Sequence, residues 1–139
     1  MLKVEFHCHT VASKDSLTRP RDLVDTCRRK GIDRVVITDH NTIGGAQAAQ
    51  SLDPQLVIVG EEIMTTRGEI LAAFVREEIP KGLSPTETIQ RLKDQGAFIS
   101  VSRSPLSGLS MPSLTLLITV WVRDRFPDEA IAMMRSPGF

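Results

Sequence analysis

Two histidines separated by one residue are the first candidates for chemistry in this sequence. His7 and His9 flank Cys8 directly after a segment of alternating apolar and charged residues that predicts a β-strand. In extended backbone, residues two apart point to the same side, so both imidazoles can converge on one metal ion while Cys8 faces away. A lone His-x-His pair is a weak signal. Cys8 and Cys27 are interpreted as small buried hydrophobic residues rather than ligands.

Further residues of metal-binding type follow the next predicted strands. His40 comes at the end of the second apolar run and Glu62 at the end of the third, while Asp15 lies in the loop after His9. Ligands of parallel α/β sheets bind at the carboxyl ends of the strands. Taken singly, His40 could be a core histidine, Glu62 a solvated turn residue and Asp15 an Asx turn or helix cap. If all three interpretations were correct, it would be a coincidence that these residue types follow successive strands at the same edge of the sheet. A shared site for Zn²⁺, Mn²⁺ or Fe²⁺ is therefore favoured.

The segments that position these residues alternate between strand and helix up to about residue 102. Short apolar runs predict strands, and capping signals predict the helices between them. The predicted strands are 2–6, 33–38, 56–59, 69–75 and 97–101, and the predicted helices lie at about 18–31, 43–52 and 84–96. This alternation predicts an α/β fold with a largely parallel sheet.

Length and composition exclude several classes of protein. With 139 residues, 41% of them hydrophobic, the chain can form one modest domain with a core. Basic and acidic residues balance at 17 each, so no dedicated nucleic-acid-binding surface is expected. No apolar stretch reaches the roughly 18 to 20 residues of a membrane span, and the first residues do not resemble a signal peptide. Two cysteines make no disulfide scaffold, so a cytoplasmic protein without membrane association is expected.

Four motifs in order then carry a family resemblance. HCHTVASKDS, ITDHN, GEEI with a following GEIL strand, and GAFISVS closely resemble the polymerase and histidinol phosphatase (PHP) superfamily over residues 1–102. The resemblance is nearest to its stand-alone metal-dependent phosphoesterases. It implies a distorted TIM-like (βα)7 barrel, of which this chain would hold an incomplete N-terminal portion. It also implies a cluster of up to three divalent metal ions at the carboxyl-terminal rim.

The resemblance implies a role for each candidate residue. His7 and His9 would bind one ion, Glu62 would bridge it to a second, and Asp15 and His40 would serve a third. Phosphate ester hydrolysis by a metal-bound hydroxide would then need no protein nucleophile, because closely spaced divalent ions activate water and neutralise phosphoryl charge. The expected substrate is a small phosphorylated molecule, with nucleotides among the options, and the expected cofactors are manganese, zinc or iron.

The resemblance fails after residue 102. A His-Pro pair is expected there, but the chain reads Ser102-Arg103-Ser104-Pro105, and no histidine follows His40. Arg103 cannot replace a histidine ligand, because a guanidinium group has no free lone pair for a metal. Residues 103–139 are therefore taken as a divergent tail, in which 114–122 predicts a buried strand or core helix. Our hypothesis is a shift of the reading frame at residue 103; a genuine short paralogue is the alternative.

The missing ligands predict that fewer than three ions bind, that phosphatase activity is weak or absent, and that the isolated chain has low stability. An unclosed sheet exposes its edges, so self-association is also expected. Two other functions stay open. One is a non-catalytic metal-binding or interaction remnant. The other is an amidohydrolase-type metal hydrolase, which also begins with His-x-His but would require a lysine at the end of a middle strand.

Overall fold

The computed structural model describes residues 2–101 and 118–120 of the chain. The strands are β1 (Val4–Cys8), β2 (Arg34–Ile37), β3 (Val57–Thr65), β4 (Gly68–Ala73), β5 (Phe98–Val101) and β6 (Ile118–Val120). The helices are α1 (Pro20–Lys30), α2 (Gly44–Leu52) and α3 (Pro85–Asp94). Among the described residues, none of the helices combines the length and the hydrophobicity of a membrane span.

The strands form one mixed sheet in sequence order, from β1 to β6. β1, β2 and β3 pair in parallel, whereas β3–β4, β4–β5 and β5–β6 are antiparallel. The α/β fold is therefore as predicted, but the sheet is less parallel than the alternation of strands and helices suggested. The reason is local: only residues 66 and 67 separate β3 from β4, and a parallel crossover needs about a dozen residues or more.

β3 is longer than predicted, and this changes the setting of Glu62. The sequence predicted an end near residue 59, where β2 stops pairing with β3 at Ile37↔Val59. Beyond that point β4 becomes the partner, from Gly60↔Ala73 to Thr65↔Gly68, so Glu62 lies inside a strand. Glycine is required at position 60, because a Cβ atom there would lie 2.6 Å from the Ala72 carbonyl oxygen and 2.9 Å from that of Ile37.

The sheet is strongly curled. The rings of Phe6 on β1 and Phe98 on β5 have centroids 6.5 Å apart, although these strands are four places apart in the sheet. In a flat sheet the same strands would be about 19 Å apart, since neighbouring strands are spaced by about 4.8 Å. The curled sheet is compatible with part of a TIM-like barrel. A small apolar cluster that includes Val36, Ala73 and Phe98 fills the concave face.

The three helices cover the convex face, where the main core lies. α1 begins at Pro20 and ends before Gly31, which adopts a left-handed conformation with φ of 66°. α3 begins with a capping box between Ser84 and Glu87. Buried side chains of β2, β3 and β5 pack against these helices, including Ile37, Ile63 and Ile99. Side chains alternate along a strand, and Ile63 faces the helices. Glu62, which precedes Ile63 in β3, therefore faces the concave side.

The apolar segment 114–122 is described only in part. Ile118–Val120 forms β6 and pairs antiparallel with β5, so over these three residues the segment is a strand, which is one of the two predicted alternatives. The rest of the segment lies outside the described residues. So do Ser102–Pro105, where the His-Pro pair was expected.

Candidate metal centre

The five residues predicted as ligands come together at one edge of the sheet. His7 lies in β1 and His9 directly after it, His40 follows β2, and Glu62 lies in β3. Asp15 reaches them from the loop that connects β1 to α1. Its carboxylate oxygen Oδ2 is 2.8 Å from His9 Nδ1 and 3.3 Å from His40 Nε2. The convergence that the strand ends predicted is therefore present.

His9 and Glu62 form the buried middle of this cluster. Their side chains are 13% and 10% exposed, and His9 Nε2 lies 3.0 Å from Glu62 Oε2. The same oxygen is 3.8 Å from His7 Nε2 and 3.4 Å from His40 Nδ1. The rings of His9 and His40 meet edge-on, with centroids 4.5 Å apart. One carboxylate oxygen is thus surrounded by nitrogen atoms from three histidines.

The donor atoms at the centre fit a shared cation. His9 Nε2 and Glu62 Oε2 are both buried, and neither has a hydrogen-bond partner among the described residues. Buried polar atoms are seldom left unpartnered without a bound ion or water. Donors that share a transition-metal ion at about 2.1 Å lie roughly 3.0 to 3.6 Å apart. The separations of 3.0, 3.4 and 3.8 Å around Glu62 Oε2 are close to that range.

Backbone pairing fixes Glu62 beside His40. The two residues form a parallel bridge, in which Glu62 N donates to the Asp39 carbonyl oxygen at 3.1 Å and Asn41 N donates to that of Glu62 at 2.9 Å. Asn41 adopts a left-handed conformation with φ of 53°, which asparagine tolerates better than most residues. Its side-chain oxygen accepts a hydrogen bond from Met64 N at 2.8 Å.

A second hydrogen-bond network holds the loop that carries Asp15. Asp39 is fully buried, and the Ser13 hydroxyl donates to its Oδ1 at 2.8 Å. The same hydroxyl oxygen accepts a hydrogen bond from His40 N at 2.9 Å. Ser13 therefore ties the loop both to the carboxylate that precedes His40 and to the His40 backbone.

The electrostatics of the cluster depend on burial and on its histidines. The hydrogen bond from His9 chiefly lowers the pKa of Asp15 below its ordinary value, so this exposed carboxylate is anionic. Burial chiefly raises the pKa of Glu62, and the nearby charge of Glu69 adds to this, whereas His7 and His40 oppose it. A bound divalent cation would favour the anionic form of Glu62.

Glu69 is a site residue that the sequence reasoning missed. It lies on β4, opposite Met64 of β3, and its Oε1 is 3.8 Å from His40 Nδ1. The GEIL strand was recognised as part of the motif pattern, but its glutamate was not assigned a role. The predicted strand bounds, 56–59 and 69–75, concealed the hairpin, because they left residues 60–68 as a connection, whereas β3 in fact extends to Thr65.

The two cysteines lie apart from the cluster. Cys8 Sγ points to the Val36 carbonyl oxygen at 3.5 Å, and burial chiefly raises the pKa of its thiol to about 12. Cys27 lies on α1 and is buried in the core. Such thiols stay protonated at neutral pH and are poor metal ligands. Cys27 is therefore the small buried residue that the sequence suggested, whereas Cys8 is half-buried and packs against the core.

Three overlapping donor sets result from this arrangement. They are His7 with His9 and Glu62, His9 with Asp15 and His40, and His40 with Glu62 and Glu69. Within each set, one donor atom from each residue lies within 4.8 Å of the others. Imidazole with carboxylate donors suits divalent transition metals. The geometry therefore supports binding of divalent metal ions.

Comparison with known proteins places the chain in a family. The model of the PHP domain family matches residues 5–100. The uncharacterised protein MJ1587 of Methanocaldococcus jannaschii is 41% identical over 119 residues, which cover 76% of this chain and 69% of that protein. A second uncharacterised protein of the same organism, MJ0417, is 38% identical over 99 residues, which cover 70% of this chain but only 38% of the relative.

One solved structure is also similar. It is a crystal structure from Bifidobacterium adolescentis, provisionally named a metal-dependent phosphoesterase, with 33% identity and a TM-score of 0.45. The match covers 52% of this chain and 27% of that one. The residues that the family model matches include the strands and loops that carry the clustered histidines and carboxylates. This chain belongs to the PHP domain family.

Proposed function

We propose that this protein is a divalent-metal-dependent phosphoesterase that hydrolyses an ester of a small phosphorylated substrate. The observation that carries the proposal is that two buried atoms, His9 Nε2 and Glu62 Oε2, lie 3.0 Å apart while neither has a hydrogen-bond partner among the described residues. Two further histidines and two further carboxylates surround this pair. Membership of the PHP domain family supports the reaction class.

In this proposal the residues form three neighbouring metal positions. His7, His9 and Glu62 would hold one ion, with Glu62 shared with a second, and Asp15 and His40 would serve a third. When bound, closely spaced divalent ions supply an activated water and neutralise charge on a phosphoryl group. Manganese, iron and zinc all suit these donors.

The histidine orientations support this use of the side chains. Asp15 lies on the Nδ1 side of His9, and a hydrogen bond from Nδ1 leaves the Nε2 lone pair free for an ion. His7 Nδ1 lies 2.8 Å from the Thr38 hydroxyl, which likewise leaves its Nε2 directed toward Glu62. The His7 side chain is 46% exposed, so a substrate can approach from its side. No protein side chain is assigned as nucleophile.

Residues 1–102 form the metal-binding domain in this proposal, and residues 103–139 are a divergent tail. The domain would be the first portion of a seven-stranded barrel, consistent with strands in sequence order and a curled sheet. Arg103 stands where a histidine ligand is expected, so turnover would be weak. Sequencing the gene tests whether a shifted frame restores a His-Pro pair at residue 103; if no frame continues the barrel pattern, the frameshift hypothesis is wrong.

The open edge of β1 supports self-association. In the described part of the chain β1 pairs only with β2, and its Phe6 is 38% exposed. Unpaired strand edges favour pairing with another copy. Light scattering during gel filtration would reveal dimers or larger assemblies, and a strictly monomeric protein would contradict this part of the proposal.

A hydrolysis assay with a matched control tests the phosphoesterase. Purified protein is stripped of metal, reloaded with Mn²⁺, and assayed on nucleoside monophosphates and other small phosphomonoesters. Activity should exceed that of Glu62→Gln by at least about tenfold, whereas Glu77→Gln, an exposed glutamate outside the cluster, should match the unaltered protein. Equal rates for the unaltered protein and Glu62→Gln would overturn the proposed activity. Turnover comparable with that of a full-length metal-dependent phosphoesterase would overturn the proposed impairment.

Metal binding without hydrolysis would favour the alternative, a non-catalytic metal-binding remnant. Elemental analysis of the purified protein separates the cases, because a catalytic cluster and a remnant differ in the number of ions per chain.

The amidohydrolase alternative has less support. Among the described residues, no lysine lies at the carboxyl end of a strand.

A further inference from the structure

The Thr38 hydroxyl is a buried partner of the His7 imidazole. Thr38 directly follows β2 and is 1% exposed. Its Oγ1 lies 2.8 Å from His7 Nδ1 and 3.5 Å from the Cys8 carbonyl oxygen. The Thr38 backbone N donates to the same carbonyl oxygen at 2.9 Å. Backbone pairing between the ends of β1 and β2 therefore holds the hydroxyl beside His7.

The protons of these two side chains indicate how the contact is used. A hydroxyl carries one proton and two lone pairs, and a neutral imidazole carries its proton on either Nδ1 or Nε2. With its proton on Nδ1, His7 donates to Thr38 Oγ1, and the Thr38 proton can turn to the Cys8 carbonyl oxygen. Both protons then have an acceptor, and the lone pair of His7 Nε2 faces Glu62 Oε2, 3.8 Å away. The hydroxyl therefore suits a histidine whose Nε2 binds a cation.

His7 depends on such a partner more than His9 does. The His9 side chain is 13% exposed, and the rings of His7 and His40 meet it edge-on, with centroids 4.8 and 4.5 Å away. The His7 side chain is 46% exposed, so packing restricts rotation of its ring less. Among the described residues, the Thr38 hydroxyl is the only hydrogen-bond partner of the His7 ring. Without this hydroxyl, the ring could turn and carry Nε2 away from Glu62.

We propose that Thr38 is a positioning residue for His7. It accepts a hydrogen bond from Nδ1 and so keeps Nε2 directed inward, which strengthens the binding of a divalent cation by His7, His9 and Glu62. The inference rests on the proposed metal-dependent function and adds to it a residue that does not touch the ion. Asp15, the partner of His9, is itself proposed to serve an ion, whereas the Thr38 hydroxyl only orients a ligand. Loss of the hydroxyl should therefore weaken this one position.

Manganese binding to Thr38→Val is the direct test, because valine keeps the shape of threonine without its hydroxyl. The full chain, stripped of metal, is titrated with Mn²⁺, and free Mn²⁺ is followed by electron paramagnetic resonance. Thr38→Val should weaken binding at one class of site by at least about tenfold, and Thr38→Ser, which retains a hydroxyl, should bind more tightly than Thr38→Val. Thr88→Val is the matched control, since Thr88 is also fully buried but lies on α3, and this variant should bind as the unaltered protein does. Circular dichroism checks that each variant is folded.

A double-mutant cycle separates orientation of His7 from a general effect on the fold. In a His7→Gln background, Thr38→Val should weaken Mn²⁺ binding no further, because the side chain that Thr38 orients is gone. An unchanged manganese isotherm for Thr38→Val would overturn the inference, and so would equal weakening with and without His7.

Nuclear magnetic resonance of the imidazoles gives a readout that does not depend on affinity. The chain has three histidines, so the His7 signals can be identified by their absence from His7→Gln. In ¹⁵N-labelled protein loaded with Zn²⁺, His7 should carry its proton on Nδ1, and this proton should exchange faster with water in Thr38→Val than in Thr38→Ser. A His7 proton on Nε2 in the unaltered zinc-loaded protein would overturn the inference even if Thr38→Val does not fold. If binding and spectra behave as expected but no phosphoester is hydrolysed, the proposed function fails and the role of Thr38 stands.

Discussion

The carboxylate of Asp39 accepts both hydrogen bonds that Thr10 can donate. Thr10 N lies 2.6 Å from Asp39 Oδ1, and the Thr10 hydroxyl lies 2.7 Å from Oδ2. Both residues are fully buried. Thr10 follows His9 and Asp39 precedes His40 in the chain, so this contact sets the spacing of the two strand ends that carry those histidines.

Asp39→Asn should destabilise the fold and weaken metal binding. An asparagine has one acceptor oxygen, whereas Asp39 accepts from Thr10 twice and from Ser13 once. At least one buried donor would lose its partner, at a cost of about 1–3 kcal/mol in the free energy of unfolding. Urea denaturation in a chelating buffer measures this, with the exposed Asp25→Asn as the control. Identical denaturation midpoints for Asp39→Asn and the unaltered protein would contradict the assigned role.

Two adjacent glycines of α2 should respond very differently to alanine. A Cβ atom on Gly45 would clash with the Thr10 hydroxyl and the Asp39 carboxylate, whereas a Cβ atom on Gly44 would lie 3.6 Å from the Thr42 hydroxyl, in ordinary contact. Gly45→Ala should lower the free energy of unfolding by about 1–3 kcal/mol or more. Gly44→Ala should be neutral or stabilise by up to about 1 kcal/mol. Thermal denaturation of the two variants compares them directly, and equal effects would show that α2 does not pack closely on this network.

Metal binding should stabilise the protein, and Asp15 should control part of the effect. Mn²⁺ at about 100 times its dissociation constant adds about 2.7 kcal/mol to the free energy of unfolding, and a chelator should reverse this. Asp15→Asn should leave the metal-free stability within about 0.5 kcal/mol of the original, because the side chain is half exposed. The increase in the free energy of unfolding on adding Mn²⁺ should be smaller for Asp15→Asn than for the unaltered protein.

Thermal denaturation with and without Mn²⁺ provides the measurement. Asp22 is a matched control, since its side chain is 50% exposed and that of Asp15 is 52% exposed, while Asp22 pairs with Arg19 away from the centre. Asp22→Asn should show the full gain from Mn²⁺. Equal gains for Asp15→Asn and Asp22→Asn would exclude Asp15 as a ligand.

Glu61 should make stability fall as pH rises. It is fully buried, its Oε2 accepts a hydrogen bond from Ile79 N at 3.0 Å, and burial chiefly raises its pKa from 4.5 to about 7, with nearby Glu78 adding to the shift. The folded state therefore favours the protonated acid. The stability from this preference is complete below pH 4.5 and is lost as pH rises through 7, at a total of about 3 kcal/mol.

Glu61→Gln should remove most of that pH dependence. Glutamine is neutral at every pH and retains an oxygen that can accept from Ile79 N. In a chelating buffer, the variant should gain about 2–3 kcal/mol relative to the unaltered protein between pH 5 and pH 8. Urea denaturation at the two pH values measures the difference, and Glu77→Gln should show no such gain. Parallel profiles for Glu61→Gln and the unaltered protein would mean that Glu61 ionises without cost in the folded state.

The local sequence was sufficient for the helices and for much of the site. Pro20 with Gly31, and Ser84 with Glu87, mark helix ends through backbone hydrogen bonds made within a few residues, so neighbouring residues alone reveal them. Alternation along β1 likewise indicated that His7 and His9 share a side. The grouping of His40 and Glu62 with them followed from a general rule about strand ends.

Other features depended on which strands pair. The extension of β3 to Thr65, its antiparallel partner β4, and the position of Glu69 beside His40 all follow from the register of one hairpin. The contact between Thr10 and Asp39 joins residues that are 29 positions apart. Side-chain type and periodicity do not fully specify register, because a strand can shift by two residues along its partner and keep the same residues on the same face. The sequence alone therefore determined which donors are available, and the tertiary structure decided which of them lie together, since only burial and register bring distant carboxylates within reach of the same nitrogen.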